Sequence, residues 1–345
     1  MAPLTRSRTG EARVPGPLNA LYYRQRASAG LIIAEATTIT PRGYGYPFTP
    51  GLMNQEQLDG WKLVTDAVHE EGGAIALQLW HVGRVSHPMY QPNQELPVSS
   101  SSKPFEGKTR NPSGDLVDLV PPRALERTEI PGILEDYARG TRMAREAGFD
   151  AVEIHGANGY LIEQFLYDGV NDRGDEYGGP IESRARLALE IVEACVSAWS
   201  PHRVGIRLSP NGRSMGVDDS NRSAVFSYLV PELDRRGVEF IHVIEGLPGT
   251  DRAPAPGLPA LLPLIREKFS RTVIANGGYG RESAIEAVES GAVDMVAFGV
   301  PFISNPDLVE RMKANVPLAP ADRATFYAGG EKGYTDYPRH EPAIR

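Results

Sequence analysis

The strongest constraint on this 345-residue chain is a rhythm, in which short apolar runs alternate with longer segments of helical period. The runs are Met1–Leu4, Leu31–Ile39, Ala74–Trp80, Ala151–His155, Val204–Ser209, Phe240–Glu245, Thr272–Asn276 and Met295–Phe302. They are apolar on both faces, as parallel strands buried between helices and a packed interior must be. Helix candidates lie at Leu18–Ser28, Gln55–Glu71, Ile133–Ala147, Ile181–Trp199, Ser223–Arg236, Leu261–Phe269, Arg281–Ser290 and Pro306–Ala314. Pro and Gly gather at the junctions and not inside the runs. Strand followed by helix, eight times, predicts an α/β fold, a (β/α)8 TIM barrel folded as a single domain over residues 1–345. An extended loop, Ser86–Arg127, separates the third strand from its helix and is rich in Pro, Ser and Gly. A connection that long is functional or carries small structure of its own.

Composition closes off several function classes. With 36 basic and 44 acidic side chains the chain has a net charge of −8, which argues against a general nucleic-acid surface. No apolar run approaches the roughly 18 residues of a membrane helix, and the start lacks the apolar core of a signal peptide. The single cysteine, Cys195, cannot form an internal disulfide, so a reducing, cytoplasmic setting is expected. Cys195 shares a helical pattern with Leu187, Ile191 and Val192 and reads as a small buried apolar residue.

The chemistry concentrates at the end of the fourth run, in His155-Gly156-Ala157-Asn158-Gly159-Tyr160-Leu161. No Ser or Cys stands beside the histidine, and no second His stands at metal spacing, so no metal is expected. His155 and Asn158 can hydrogen-bond an oxygen, and Tyr160 is a weak acid able to give up a proton. That set can polarise a carbonyl or nitro group and protonate a carbon once hydride has arrived from elsewhere. No side chain supplies hydride, so a cofactor must.

Period-two alternation carries other polar residues to the same end of the barrel. Arg207 and Ser209 share a face in Val204–Ser209, Gln78 and Trp80 share one in Ala74–Trp80, and His155 lies with Glu153. Each alone has a plainer reading. A strand-end histidine is commonly a hydrogen-bonded structural residue, and a lone Gln or Trp is commonly packing. Arg207 needs an acceptor or anion, since a buried unpaired guanidinium is costly, and Glu153 or Glu35 could supply it as an ion pair. Asn276-Gly277-Gly278 and Phe298-Gly299-Val300, ending the last two runs, offer backbone N–H groups to an anion or simply make tight turns. There is no Gly-x-Gly-x-x-Gly after a first strand, so a Rossmann domain is unsupported.

Together these residues spell a family. The chain resembles the old yellow enzyme family of FMN-dependent ene-reductases over nearly its whole length. The matching segments include Ala2-Pro3-Leu4-Thr5-Arg6, Leu31–Glu35, Gln78–Arg84, His155–Leu161, Asp175–Gly179, Gly205-Ile206-Arg207, Asn305–Leu308 and Gly333–Pro338. Thr5, where another branch has Cys, is similar to the bacterial and fungal branch. The resemblance implies tightly but non-covalently bound FMN, with NAD(P)H as co-substrate and a small enone or nitro compound as substrate, in a monomer or homodimer. It implies that Thr5 bonds the flavin O4, Pro3 and Ala34 line the ring, Gln78 binds its pyrimidine edge, and Arg207 sits by N1 and O2. Asn276 would belong to the cofactor site, and Gly277, Gly278, Gly299 and Val300 would take the phosphate end through backbone donors. Phe326 and Tyr327 would lie against flavin and substrate, with Trp80 shaping the pocket. His155 and Asn158 would hold the substrate oxygen, and Tyr160 would deliver the proton.

Two departures bear on that implication. Family chains carry Arg where this one has Val300, so FMN is expected to bind, but more weakly. The match also opens at Met1, lacking the usual leader and capping hairpin, for which a truncated gene start is the expectation. Two rival readings follow: a flavin-free or weakly flavin-binding barrel without catalysis, and an isomerase-type relative. Retention of Thr5, Gln78, His155, Asn158, Tyr160 and Arg207 weighs against both.

Overall fold

A computed structural model describes residues 1–246, 257–327 and 329–340. Its strands in chain order are β1 (Ile32–Ile33), β2 (Thr37–Thr38), β3 (Ile75–Trp80), β4 (Val98–Ser99), β5 (Lys108–Arg110), β6 (Leu116–Asp118), β7 (Arg123–Ala124), β8 (Ala151–Gly156), β9 (Val204–Leu208), β10 (Phe240–Ile244), β11 (Thr272–Asn276) and β12 (Met295–Val296). The main sheet is parallel, in the order β1-β3-β8-β9-β10-β11-β12, with β2 also paired to β3. The first two residues join its two ends. Met1 O accepts from Ile33 N at 3.0 Å, and Ala2 N donates to Phe298 O at 2.9 Å. That junction closes the curled sheet into the TIM barrel.

The helices are α1 (Pro17–Arg24), α2 (Gln55–Glu70), α3 (Ile130–Glu146), α4 (Leu161–Leu166), α5 (Ile181–Ala198), α6 (Arg222–Arg235), α7 (Leu262–Lys268), α8 (Arg281–Glu289), α9 (Val300–Ser304) and α10 (Leu308–Ala314). They form where apolar residues recur at helical spacing behind a capping side chain. In α2, Asn54 accepts from Gln57 N at the start, and Leu58, Trp61, Val64 and Val68 bury one face. Outward-facing strand residues such as Val152, Ile154, Ile206 and Leu208 pack on the helices, and all are fully buried. Inside the barrel, Ala2, Ile33, Ala76, Phe240, Ile274 and Ala297 form a separate small cluster that fills the floor beneath the polar end. Gly205 makes room there: a Cβ would stand 2.2 Å from the Phe240 ring.

Several expected boundaries are corrected. Met1–Leu4 forms no strand ladder, only the two-residue junction just described. Leu31–Ile39 breaks into β1 and β2 around Ala34–Ala36. Met295–Phe302 leaves the sheet after Val296, and Val300–Ser304 is helical, because Pro301 at a first helical turn has its φ already set. Leu18–Ser28 stops as a helix at Arg24. The long loop carries small structure of its own, a parallel β4–β7 pair and an antiparallel β5–β6 hairpin. No described helix is long and apolar enough to cross a membrane.

Candidate active site

His155 lies near the carboxyl end of β8, where its register partner in β9 is Arg207, whose partner in β10 is His242. One layer further down, Gln78 in β3 pairs with Glu153 in β8. Partners in parallel strands project to the same side, so both rows point into the barrel. Glu153 is fully buried and fully used: Gln78 Nε2 donates to one oxygen at 2.7 Å, and His242 Nδ1 lies 2.7 Å from the other. Glu35 accepts from Arg6 N and from the Tyr23 hydroxyl. Neither carboxylate is therefore the ion-pair partner of Arg207. Its guanidinium instead donates to Asn276 Oδ1 at 2.8 Å, and Asn276 is held by its own bond to Ala297 O.

Above this layer stands an aromatic box. The Trp80 ring stacks on Tyr46 at 5.6 Å, meets Tyr160 edge-on at 5.1 Å, and lies 6.3 Å from the His155 ring. His155 and Tyr160 are edge-on at 5.0 Å, and the Tyr46 and Tyr160 hydroxyls stand 3.3 Å apart. Asn158 and Gly159 both take left-handed backbone, with φ 58° and 79°. For Asn158 that conformation is tolerated but costly, and it bends the chain so that residues 155, 158 and 160 share one turn. Asn158 Oδ1 and Trp80 Nε1 are buried with no hydrogen-bond partner among the described residues.

Glycines shape the opposite rim. Gly277 (φ 145°) and Gly278 (φ 74°) turn the chain out of β11 toward α8, and Gly299 precedes α9. Val300 is 46% exposed. Pro3 and Ala34 are buried and Thr5 is half-buried. Phe326 is tied back beside Thr5, because its carbonyl accepts from Arg6 Nε at 3.0 Å. Tyr327 packs edge-on against Phe326 and is largely exposed. An apolar groove lined by Ile285, Val288, Met295 and Met312 reaches Ile33, Ile274 and Ala297 at the barrel floor and shares none of these site residues.

This donor set fits FMN. An amide (Gln78) and a hydroxyl (Thr5) suit the acceptor–donor–acceptor edge of an isoalloxazine. A strand-end guanidinium suits its electron-rich N1 side, and the glycine turns suit a phosphate. The relatives decide the matter. The NADH:flavin oxidoreductase / NADH oxidase family matches residues 1–319. The chain belongs to the old yellow enzyme family. It is 46% identical over 343 residues to 12-oxophytodienoate reductase 2 of Arabidopsis thaliana, covering 99% of this chain and 91% of that protein. Morphinone reductase superposes with a TM-score of 0.94 at 47% identity, covering 100% of this chain and 93% of that one. The old yellow enzyme homologue of Zymomonas mobilis gives 0.94 at 42% identity, covering 98% and 94%. As a family member the chain is an FMN-dependent, NAD(P)H-dependent oxidoreductase that carries out ene-reduction.

Two residues of the site escaped the sequence reading. Tyr46 could have been sought in the Gly43-Tyr44-Gly45-Tyr46 run, where small residues free an aromatic to lean over a strand end. Glu163 gives no sequence signal apart from its place three residues after Tyr160.

Proposed function

We propose that this barrel reduces the activated C=C bond of α,β-unsaturated carbonyl and nitro compounds in a ping-pong cycle, within a single flavin-binding domain. The observation that carries the reading is the shared turn of His155, Asn158 and Tyr160 under the Trp80 ring. Bound FMN would supply the hydride for the substrate β-carbon, replenished from NAD(P)H. Thr5, Gln78 and Arg207 would hold the ring and Pro3, Ala34 and Phe326 would line its site, while Asn276 steadies Arg207. Gly277, Gly278, Gly299 and Val300 would hold the phosphate through backbone donors, and Tyr327 would border the substrate.

His155 Nδ1 accepts a long bond from Ala157 N (3.4 Å), a pairing that leaves the proton on Nε2. That Nε2–H and the Asn158 amide grip the substrate oxygen and stabilise the charge that builds on it. One preorganised donor of this kind is worth about 3 kcal/mol. Tyr160 gives its phenolic proton to the α-carbon, and Tyr46, at 3.3 Å, is placed to steady the oxygen left behind.

The test is anaerobic spectroscopy. NADPH should bleach the flavin, and 2-cyclohexenone should restore it. In Tyr160→Phe the bleaching should persist while enone turnover falls by about 10² to 10⁴, the usual contribution of a positioned acid. Unchanged turnover in that variant removes Tyr160 from the role. Bleaching without recovery in the wild type points to the isomerase-type alternative.

A further inference from the structure

Glu163 touches the turn that carries Asn158, and the reaction above gives it no task. It lies on α4, 1% exposed. One carboxylate oxygen accepts from Gly159 N at 2.6 Å. The other accepts from the Ser209 hydroxyl at 2.5 Å and the Tyr167 hydroxyl at 3.2 Å. Ser209 Oγ in turn accepts from Asn158 N at 2.9 Å. Gln164, the next residue along, holds the Gly159 carbonyl at 2.8 Å. The two left-handed residues of the turn are thus gripped from both sides.

A plainer role is a helix cap, since a Glu at the third helical position commonly reaches back to a backbone N–H. That accounts for the bond to Gly159. It does not account for the other oxygen, which reaches to the residue just past the end of β9 and returns through Ser209 to Asn158. A helix end needs no such link. The link is also matched to an anion, because Gly159, Ser209 and Tyr167 all donate. Once the carboxyl is ionised, all three bonds become charge-assisted.

We propose that Glu163 is a positioning residue for substrate binding. By holding Gly159 directly and Asn158 through Ser209, it fixes where the Asn158 amide stands relative to His155. The inference rests on the reading that His155 and Asn158 hold the substrate oxygen.

The experiment compares FMN-loaded wild type with Glu163→Gln, Ser209→Ala, Asn158→Ala and the Glu163→Gln/Asn158→Ala pair. It measures KM and kcat for 2-cyclohexenone with NADPH above pH 7, where Glu163 is ionised, and the melting temperature of each. Glu163→Gln and Ser209→Ala should each raise KM about tenfold, the equivalent of one charge-assisted hydrogen bond, with a much smaller change in kcat. In the Asn158→Ala background Glu163→Gln should add nothing further to KM. Ser209→Ala leaves the helix cap untouched, so it carries the test if Glu163→Gln fails to fold. An equal KM penalty with and without Asn158 overturns the proposal and leaves a structural cap. So does an unchanged KM in both single variants of an active enzyme. If Asn158→Ala itself leaves KM unchanged, the reading of the carbonyl site falls, and the positioning role falls with it.

Discussion

Burial pushes the Glu163 carboxyl up from 4.5 to about 7, the cost of a buried charge outweighing the bonds from Ser209, Gly159 and Tyr167 and the field of Arg222. Unfolded, the side chain releases its proton near 4.5; folded, it holds it until about 7. Between those values the folded state binds more protons, so this group's contribution to stability falls as pH rises. It is fully present below 4.5 and lost above about 7. Glu163→Gln cannot ionise and escapes that loss. The melting-temperature gap between wild type and Glu163→Gln should therefore shift in the variant's favour from about pH 4.5 to about 7 and stay level beyond. A gap that is constant across that range in calorimetric scans would show that Glu163 does not titrate there. The same residue marks the limit of reading a site from sequence. His155, Asn158, Tyr160, Gln78 and Arg207 stood out because polar groups at apolar strand ends need a reason. Glu163 did not, since no helix was expected at Leu161–Leu166 and a lone Glu gives no sign of burial until the fold supplies it. Tyr46 meets Tyr160 from 114 positions away, a proximity no local pattern encodes.

Periodicity served best for elements that are long and buried on both sides. β3 and β8 through β11 fall within a residue or so of their expected runs, as do α2 and α5. It failed where an element is two residues long or where an apolar run changes conformation midway. The stretch Met295–Phe302 is apolar throughout, yet only two residues of it pair with β11. The junction of β12 and α9 holds Gly299 and Val300, the residues proposed to take the FMN phosphate. Val300 offers a backbone donor but no charge. Replacing it with Arg at this partly exposed position should lower the Kd for FMN about tenfold, the worth of one charge-assisted contact softened by solvent. Fluorescence titration of the apoprotein with FMN reads this directly, with riboflavin as the control. Equal gains for both ligands would mean that the added Arg does not act on the phosphate.

At the scale of the whole molecule, the segments near the two ends of the chain hold each other in place around the site. Tyr334 is fully buried and stacks on Tyr22 at 4.1 Å, with the rings 9° from parallel. The Arg6 guanidinium lies 5.2 Å from the Tyr22 centroid and 5.1 Å from that of Tyr334, and Arg8 lies 4.5 Å from Tyr334 on its side. Arg6 also donates to the Tyr22 hydroxyl, to Gly333 O and to Phe326 O. Buried guanidinium groups are costly unless satisfied, and here rings and carbonyls share the task. Two residues that the proposed function places at the flavin, Thr5 and Phe326, are therefore positioned through one cluster. The Gly333–Pro338 motif was legible as part of the family resemblance, but its clamp on Arg6 spans more than 300 positions and could not be read beforehand. Tyr334→Ala should remove the stack and both cation contacts at once. By comparison with aromatic-to-alanine changes in cores, it should cost about 3–5 kcal/mol, measured by denaturant unfolding. Because Phe326 hangs from the same cluster, the variant should also bind FMN less tightly. A loss of stability with unaltered FMN affinity would show that the clamp holds the barrel together without reaching the site.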